Sequence, residues 1–436
     1  MPYGIKSFSL PRFASCPDIF KRFAFFLILT LSLLPAYGQK DTERLDDFLF
    51  KVAIIGPSDE IFIWWGHAAL IMEDTRWKYS RVYDWGVFSY PSDNFLKDFI
   101  KNRVQYMVTT GPLNFHEYIL EDRDITIYTL DLDKTAKEII LSYTENKILP
   151  DNCYYDYHEF LDNCSTGIRD IIDLGTRGQF KAVFGSTPGR LNIRQHVLRY
   201  TWFRPFPDWF LSFLMGRDLD KQITPWEEMF LPIEIARNIA SFNYTDDSGA
   251  QRDLVSSIQI VNSSKNRPPI LNKPLSTWPF FLTGGLIIAA LLIFFNAQQK
   301  KSPRLFRIIL GLIQSLLGLL LGISGCVLAL GLFIMSNDYI KQNLNIFFVN
   351  PLLLIILPLG ILFAADKSFL INSGKCLRIL WTYVFISGSI TMLINIIPFF
   401  YQQNQSVHGL ILPIAFALSD LPEKMDKHWR QIGIKK

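Results

Sequence analysis

Charge is what this 436-residue sequence has little of. Asp, Glu, Lys and Arg make up 19% of it, against 49% apolar residues, where a soluble chain carries about 25% charged residues. The net charge is only +4, and no basic stripe interleaved with aromatics occurs, so nucleic acid is not an expected partner. No Gly-rich loop precedes a helix, which excludes the usual nucleotide-phosphate cradle. Histidine is limited to six residues and cysteine to five. These fall in no metal-ligand spacing, so no metal or cofactor is expected. No internal repeat is visible.

What is there is unevenly spread. Most of the apolar excess lies after Trp278, with one short stretch near the start. Lys21 and Arg22 precede an apolar run from Phe23 to Leu34, then Pro35 and Ala36-Tyr37-Gly38. A basic region, a short hydrophobic region and a small-x-small site read as a secretory leader over 1–38. An uncleaved signal anchor is the alternative. In both readings residues 39–242 form an exported domain. Residues 243–277 are polar and rich in Ser, Asn and Pro and read as a linker, with one strand at Leu254 to Val261.

Residues 278–421 read as a membrane domain. Four segments are near or above the ~20 residues a bilayer needs: Trp278 to Phe295, Ile308 to Met335, Ile346 to Ala365, and Ile379 to Phe400. Lys300, Lys301, Arg304 and Arg307 follow the first segment and place that loop on the cytoplasmic side. The basic tail, 422–436, asks for a cytoplasmic end as well, which four spans do not provide. A short fifth span at Gly409 to Leu421 restores the parity, although two prolines and Asp420 weaken it. No Asp, Glu, Lys or His interrupts the centre of the four clear spans, which argues against an ion-coupled transporter.

The exported domain mixes helix and strand signals. Strands are expected at Ala68 to Met72, Arg81 to Trp85 and Ile125 to Leu132. Helices are expected from Ser92 to about Asn102, over Thr135 to Ile148, and from Thr224-Pro225-Trp226-Glu227, where Thr caps and Pro opens the first turn. That last helix should present Met229, Phe230 and Ile233.

Two cysteines, Cys153 and Cys164, fall in the exported domain, and a disulfide between them is one reading. Cys164, however, lies in Asp162-Asn163-Cys164-Ser165-Thr166-Gly167, just before Ile168, Ile171, Ile172 and Leu174 at helical spacing. A helix N-terminus stabilises a thiolate and offers N–H groups to an oxyanion. His116, His158 and His196 read as ordinary surface residues. His67 differs: it opens an apolar strand in Trp64-Trp65-Gly66-His67-Ala68-Ala69-Leu70. It is a candidate base, or else a structural histidine.

Trp65-Gly66-His67-Ala68-Ala69-Leu70, Val82-Tyr83-Asp84-Trp85-Gly86-Val87-Phe88 and Asp162-Asn163-Cys164-Ser165-Thr166 together resemble the Lnb family of lipoprotein N-acyltransferases. The C-terminal spans, with Asn345 and Asn350-Pro351, also resemble that family's membrane domain. The His-before-Cys order is similar to circularly permuted papain-related enzymes. The resemblance implies an α+β, papain-like, permuted cysteine-hydrolase-type exported domain followed by an all-α transmembrane bundle in the bacterial inner membrane. It implies Cys164 as nucleophile and His67 as base, with a third polar group orienting His67; Asp84 on the next expected strand is the candidate for that group, or else a turn residue. Asn163, Ser165 and Trp65 would contact substrate, with helix capping as the other reading of Asn163. The acyl donor would be a phospholipid, the acceptor a diacylated lipoprotein, and the setting membrane lipid. Trp202, Phe203, Phe206, Trp209, Phe210 and Phe213 form an aromatic patch suited either to the lipid interface or to a core-facing segment. Two rival functions stand beside this one: a tethered cysteine peptidase or amidase acting on cell-wall peptides, and a non-catalytic envelope module carrying a Cys153–Cys164 disulfide.

Overall fold

The computed structural model describes residues 42–88, 104–299, 301–334, 339, 341–366 and 372–431. The leader at 1–38 and the helix expected from Ser92 to Asn102 lie outside the described residues. Both the sheet domain and the helical region belong to one compact unit, Asp47–Lys436.

The described strands are β1 (Phe48–Ile55), β2 (His67–Asp74), β3 (Tyr79–Phe88), β4 (Gln105–Pro112), β5 (Ile125–Leu130), β6 (Tyr154–Asp156), β7 (Asn243–Thr245), β8 (Gln251–Asp253) and β9 (Val255–Asn262). Seven form one antiparallel sheet in the order β6-β4-β3-β2-β1-β5-β9, while β7 and β8 form a separate ribbon. The unbroken apolar run from Ala68 to Met72 makes sense at the sheet centre, where both faces are covered. On one face Phe50, Val52, Leu70, Tyr83 and Trp85 pack against Ile168, Ile171 and Ile172 of the helix Cys164–Gly175, and against Ile140 of the helix Lys134–Lys147. Ala53, Ile71 and Ile127 make a smaller core on the other face. Each fully buried Ile or Leu contributes about 1.5–3 kcal/mol, so the inner face of the Cys164 helix is held firmly to the sheet. Leu174, expected on that face, is exposed at the helix end.

Three expectations are corrected in this domain. The capping box at Thr224 forms, but its helix runs only Pro225–Glu228 and a second begins at Pro232. Pro232 has no N–H to extend the first helix and instead sits at the first turn of the next. Phe230 therefore lies between the two. The linker expected at 243–277 begins too early, because β9 pairs with β5 from Val255 to Asn262. Its β-branched residues complete the sheet edge. His196 is not a surface residue: it is fully buried, and its Nε2 lies 3.0 Å from Oε1 of Glu228.

Helices dominate after residue 277. Trp278–Gln298, Pro303–Phe333 and Ser373–Ile394 are long and apolar enough to cross a membrane, and Pro351–Ala364 and Gln405–Leu418 are shorter apolar helices. The span expected as one piece over 346–365 is broken. A 3-10 turn at Leu344–Phe347 is followed by Asn350, whose side chain caps the Leu352 N–H and donates to the Tyr383 hydroxyl at 2.7 Å. A second 3-10 turn leads into the helix Ile356–Ala364. The thin fifth segment is helical in spite of Pro413, and it crosses the first long helix at Gly285, where an added Cβ would lie 2.5 Å from the Gly409 carbonyl. Gly311, Gly318, Gly322 and Gly325 give close approach to the 350–364 segment in the same way.

The helix Pro205–Leu214 joins the two parts. Trp209, Phe210 and Phe213 pack into the core of the helical region. The Trp209 indole donates to the Ser406 carbonyl at 3.2 Å. The carbonyls that end this helix have lost their intrahelical donors. Asn343 Nδ2 donates to Phe213 O at 2.8 Å and to Leu214 O at 3.0 Å, and Asn345 Nδ2 donates to Phe213 O at 2.9 Å. Buried Arg194 donates to Ser212 O and Met215 O, both at 2.8 Å, and to Asp220 Oδ1 at 2.7 Å. The aromatic patch thus divides: its C-terminal half faces a protein core, while Phe203 and Phe206 remain exposed.

Candidate active site

The end of β2 is set by Gly66. Its φ of +85° and the 2.6 Å that would separate an added Cβ from the Ile55 carbonyl leave room for no other residue. The chain can therefore turn and open β2 at His67, opposite Ile55 of β1. Asp84 of β3 pairs with Ala69, so it is the diagonal neighbour of His67 across the sheet. His67 Nε2 lies 2.9 Å from Asp84 Oδ1, and the two side chains are 18% and 27% exposed, so the pair has an opening to the outside. That carboxylate oxygen is buried and lies within ion-pair distance of the His67 ring without meeting hydrogen-bond geometry to any group.

Cys164 is the first residue of its helix. Asn163 caps it: Oδ1 accepts from the Ser165 and Thr166 N–H groups, each at 2.9 Å, and Thr166 Oγ1 accepts from the Asn163 N–H at 2.7 Å. The helix brings the Cys164 thiol to the start of β2, beside the His67 ring and the Ala68 N–H. Between Trp85 and Val87 the β3–β4 register slips, and Gly86 in that bulge has φ +113°. An added Cβ there would sit 3.8 Å from Cys164 Cβ and 3.9 Å from His67 Cε1. The bulge glycine keeps the wall beside the pair clear.

The electrostatics follow from this placement. Burial by itself lowers the His67 pKa, but the Cys164 charge and then Asp84 outweigh it, and the imidazole ends well above its usual range. Burial pushes the Cys164 thiol up; the His67 charge, the His67 hydrogen bond and the Ala68 N–H outweigh that and bring it below its usual value. Both shifts favour the ionised form of the pair, a thiolate beside an imidazolium.

Asp84, His67 and Cys164 are thus brought together as expected. The three residues expected to bind substrate are placed otherwise. Asn163 is buried and fully used: besides capping, its Nδ2 donates to Glu159 O at 2.8 Å and to Phe230 O at 3.1 Å. Ser165 is wholly buried one position into the helix, turned away from the opening. The Trp65 indole donates to Val197 O at 3.3 Å, and its ring packs on the Ile193 and Val197 cluster. The helix N–H groups expected to hold an oxyanion are also mostly spent on Asn163, which leaves the N–H of Cys164 itself.

Two tyrosines escaped the sequence reading. Tyr155 and Tyr157 flank the site from β6 and the residue just beyond it. Burial, and then the Cys164 charge, raises both phenols far above their usual range, so they stand as neutral donors. The Tyr155 hydroxyl is buried and has no hydrogen-bond partner. The alternation in Tyr155-Asp156-Tyr157 was the available signal, since it puts both rings on one face of an edge strand. Cys153 is buried, and its Sγ lies 3.6 Å from Pro150 O. Both it and Cys164 are free thiols, so the expected alternative of a disulfide between them is not formed. Among the described residues, no group of three or more His, Cys, Asp or Glu side chains is placed to hold a metal ion.

Residues 41–197 match the family model described as the Lnb N-terminal periplasmic domain, a stretch that contains His67, Asp84 and Cys164. The family resemblance is shown over this part of the chain. No curated protein matches the chain, and neither does any solved structure.

Proposed function

We propose, from an exported domain of the Lnb N-terminal periplasmic type, that this chain is a Cys–His acyltransferase. It moves a fatty acyl chain from a phospholipid, through a thioester on Cys164, to the N-terminal amine of diacylated lipoproteins. In this reading the exported domain is of the permuted papain-like type, the helical region spans the bacterial inner membrane several times, and the site works on the periplasmic side. The observation that carries it is the Cys164–His67–Asp84 arrangement, a thiolate–imidazolium pair backed by a carboxylate.

The chemistry runs from the resting ion pair. The Cys164 thiolate attacks the ester carbonyl carbon of the lipid, aided by the Cys164 N–H at the developing oxyanion. The C–O bond breaks, and the His67 imidazolium passes its proton to the departing alcohol oxygen. The product is a thioester beside a neutral imidazole. The lipoprotein amine then attacks the thioester carbon, neutral His67 takes the amine proton, and the C–S bond breaks. Amide is released and the ion pair is restored. Asp84 holds the ring and stabilises its charged form. An amine outcompetes water only where water is scarce, and the packing of the Pro205–Leu214 helix into the apolar bundle supports a site at the membrane surface.

The test is complementation. Wild type, Cys164→Ala and His67→Ala are expressed in cells that lack lipoprotein N-acylation, and the N-terminal peptide of a lipoprotein is weighed. The expected result is an acylated amine with wild type alone. A free amine with wild type would refute the function, and acylation by Cys164→Ala would refute the mechanism.

A further inference from the structure

The loop that leads into β2 ends in an apolar tip. Phe62 is 87% exposed, and Ile61 beside it is also exposed. A second exposed pair, Phe203 and Phe206, stands at the start of the Pro205–Leu214 helix, with Phe206 at 69%. Arg204 joins the two. Its guanidinium lies 4.5 Å over the Trp64 ring and 5.1 Å over the Phe203 ring, and it reaches Asp59 at 3.5 Å. Single exposed apolar residues are ordinary, but two loops clamped together that present four of them are a patch.

Its place in the fold says what covers it. Phe206 is stacked on Phe210, which packs into the bundle core. One turn on, Trp209 lies 6.0 Å from Phe281, at the start of the long helix Trp278–Gln298. Trp278 and Phe280 are exposed at that same helix end. The patch is therefore continuous with the apolar outer surface of the helices at the end that meets the sheet domain. The cavity of about 360 Å³ behind it is lined by Asp59, Glu121 and Asp122 as well as Arg204 and Arg267. An anionic ligand is poorly matched to that lining.

We propose that Ile61, Phe62, Phe203 and Phe206 form a membrane-inserting edge that dips into the outer leaflet of the bilayer, below the headgroups, and thereby holds the mouth of the Cys164 site at the lipid surface. Aromatic and large aliphatic side chains favour that boundary. Only two residues separate Trp64 from His67, so a tip fixed in lipid fixes the start of β2 next to it. Insertion stands independently of the enzymatic reading; delivery of a lipid ester to Cys164 rests on it.

The test places a probe on the full chain. Phe62→Cys, Phe206→Cys and, as control, Trp77→Cys are made in the Cys164→Ala protein, labelled with an environment-sensitive dye and reconstituted in phosphatidylcholine vesicles. Trp77 is 69% exposed in the turn at the far end of β2, about 25 Å away at roughly 3.3 Å per residue. A parent without the added cysteine supplies the background. Lipid spin-labelled near the headgroup should quench the dyes at 62 and 206 at least about twofold and leave the dye at 77 unchanged. A dye at 62 that behaves like the one at 77, whether solvated or covered by a second copy of the chain, overturns the proposal. The double variant Ile61→Asp and Phe62→Asp should use vesicle-borne lipid about tenfold more slowly, while alkylation of Cys164 by a water-soluble reagent is unchanged. Unchanged lipid use by that variant overturns the delivery role. Quenching of the dyes at 62 and 206, together with a wild-type protein that has no activity, leaves insertion standing and refutes only the enzymatic reading.

Discussion

The Cys164 site and the junction with the bundle use similar polar groups in opposite ways. At the junction the side chains that join its elements are partnered. Gln402 Nε2 donates to Asn343 Oδ1 at 3.0 Å, Asn404 Nδ2 donates to Asn345 Oδ1 at 2.8 Å, and Asp220 Oδ2 accepts the Gln403 N–H at 3.0 Å. None of these side chains has a buried atom without a partner. At the candidate site the hydroxyls of Tyr155 and Ser165 and the Oδ1 atom of Asp84 are buried without hydrogen-bond partners, and His67 and Cys164 each shift the other toward its charged form. Unpaired buried polar groups cost stability, and a native fold tolerates them where chemistry needs them free. The difference teaches that the junction is built to hold one geometry, and the site is built to receive a substrate.

Substitutions can break this contrast. The largest effect is expected from Cys164→Ser, which should lower acyl transfer at least about 10³-fold while the melting temperature of the purified protein moves by no more than about 2 °C. A large drop in melting temperature would mean that Cys164 is structural. His67→Ala should act next most strongly, and the pH dependence of Cys164 alkylation reads it. In wild type the His67 charge holds the Cys164 thiol below its ordinary range, so alkylation persists at lower pH than for a free cysteine. Removing His67 leaves burial opposed only by the Ala68 N–H, so the thiol pKa rises and alkylation should shift to more alkaline pH. An unshifted profile would contradict the ion pair.

The junction should answer in the opposite currency. Asn345→Leu removes the donor to Phe213 O and the acceptor for Asn404. It should cost about 1–3 kcal/mol for each group left unpaired, seen as a lower unfolding temperature in detergent, with Cys164 alkylation unchanged in the folded protein. The smallest effect is expected from Tyr155→Phe. Removal of a hydroxyl that has no partner should change stability by less than about 0.5 kcal/mol. A loss as large as that of Asn345→Leu would erase the distinction between the two regions.

Cys164 and His67 were legible as a candidate pair because each lies in a short local pattern, a cysteine between a cap and a helical apolar face and a glycine before an apolar strand, whereas Asp84 was reached only through the family resemblance. The central strands were legible for the same reason. The places of Asn163, Ser165 and Trp65 were not legible, because proximity in sequence to Cys164 or His67 does not decide which way a side chain points. Asn163 turned inward to cap, and Trp65 reached Val197, which is 132 residues away. The burial of His196 depends on Glu228, 32 residues on, and no periodicity announces it. The junction is built from contacts among residues near 213, 343 and 402, and its asparagines look like ordinary loop residues until the fold assembles them. The break at Asn350-Pro351 was visible in the residues, but average hydropathy over 346–365 concealed it.

The central claim is that Cys164 carries an acyl chain as a thioester, and one measurement addresses it directly. The purified full-length protein is incubated with a phospholipid bearing acyl chains of known mass, in the absence of any lipoprotein, and its intact mass is taken before and after neutral hydroxylamine. The account expects a gain of one acyl group, borne on Cys164, absent in Cys164→Ala and removed by hydroxylamine. A protein that gains no acyl mass, or an adduct that persists in Cys164→Ala, would contradict it.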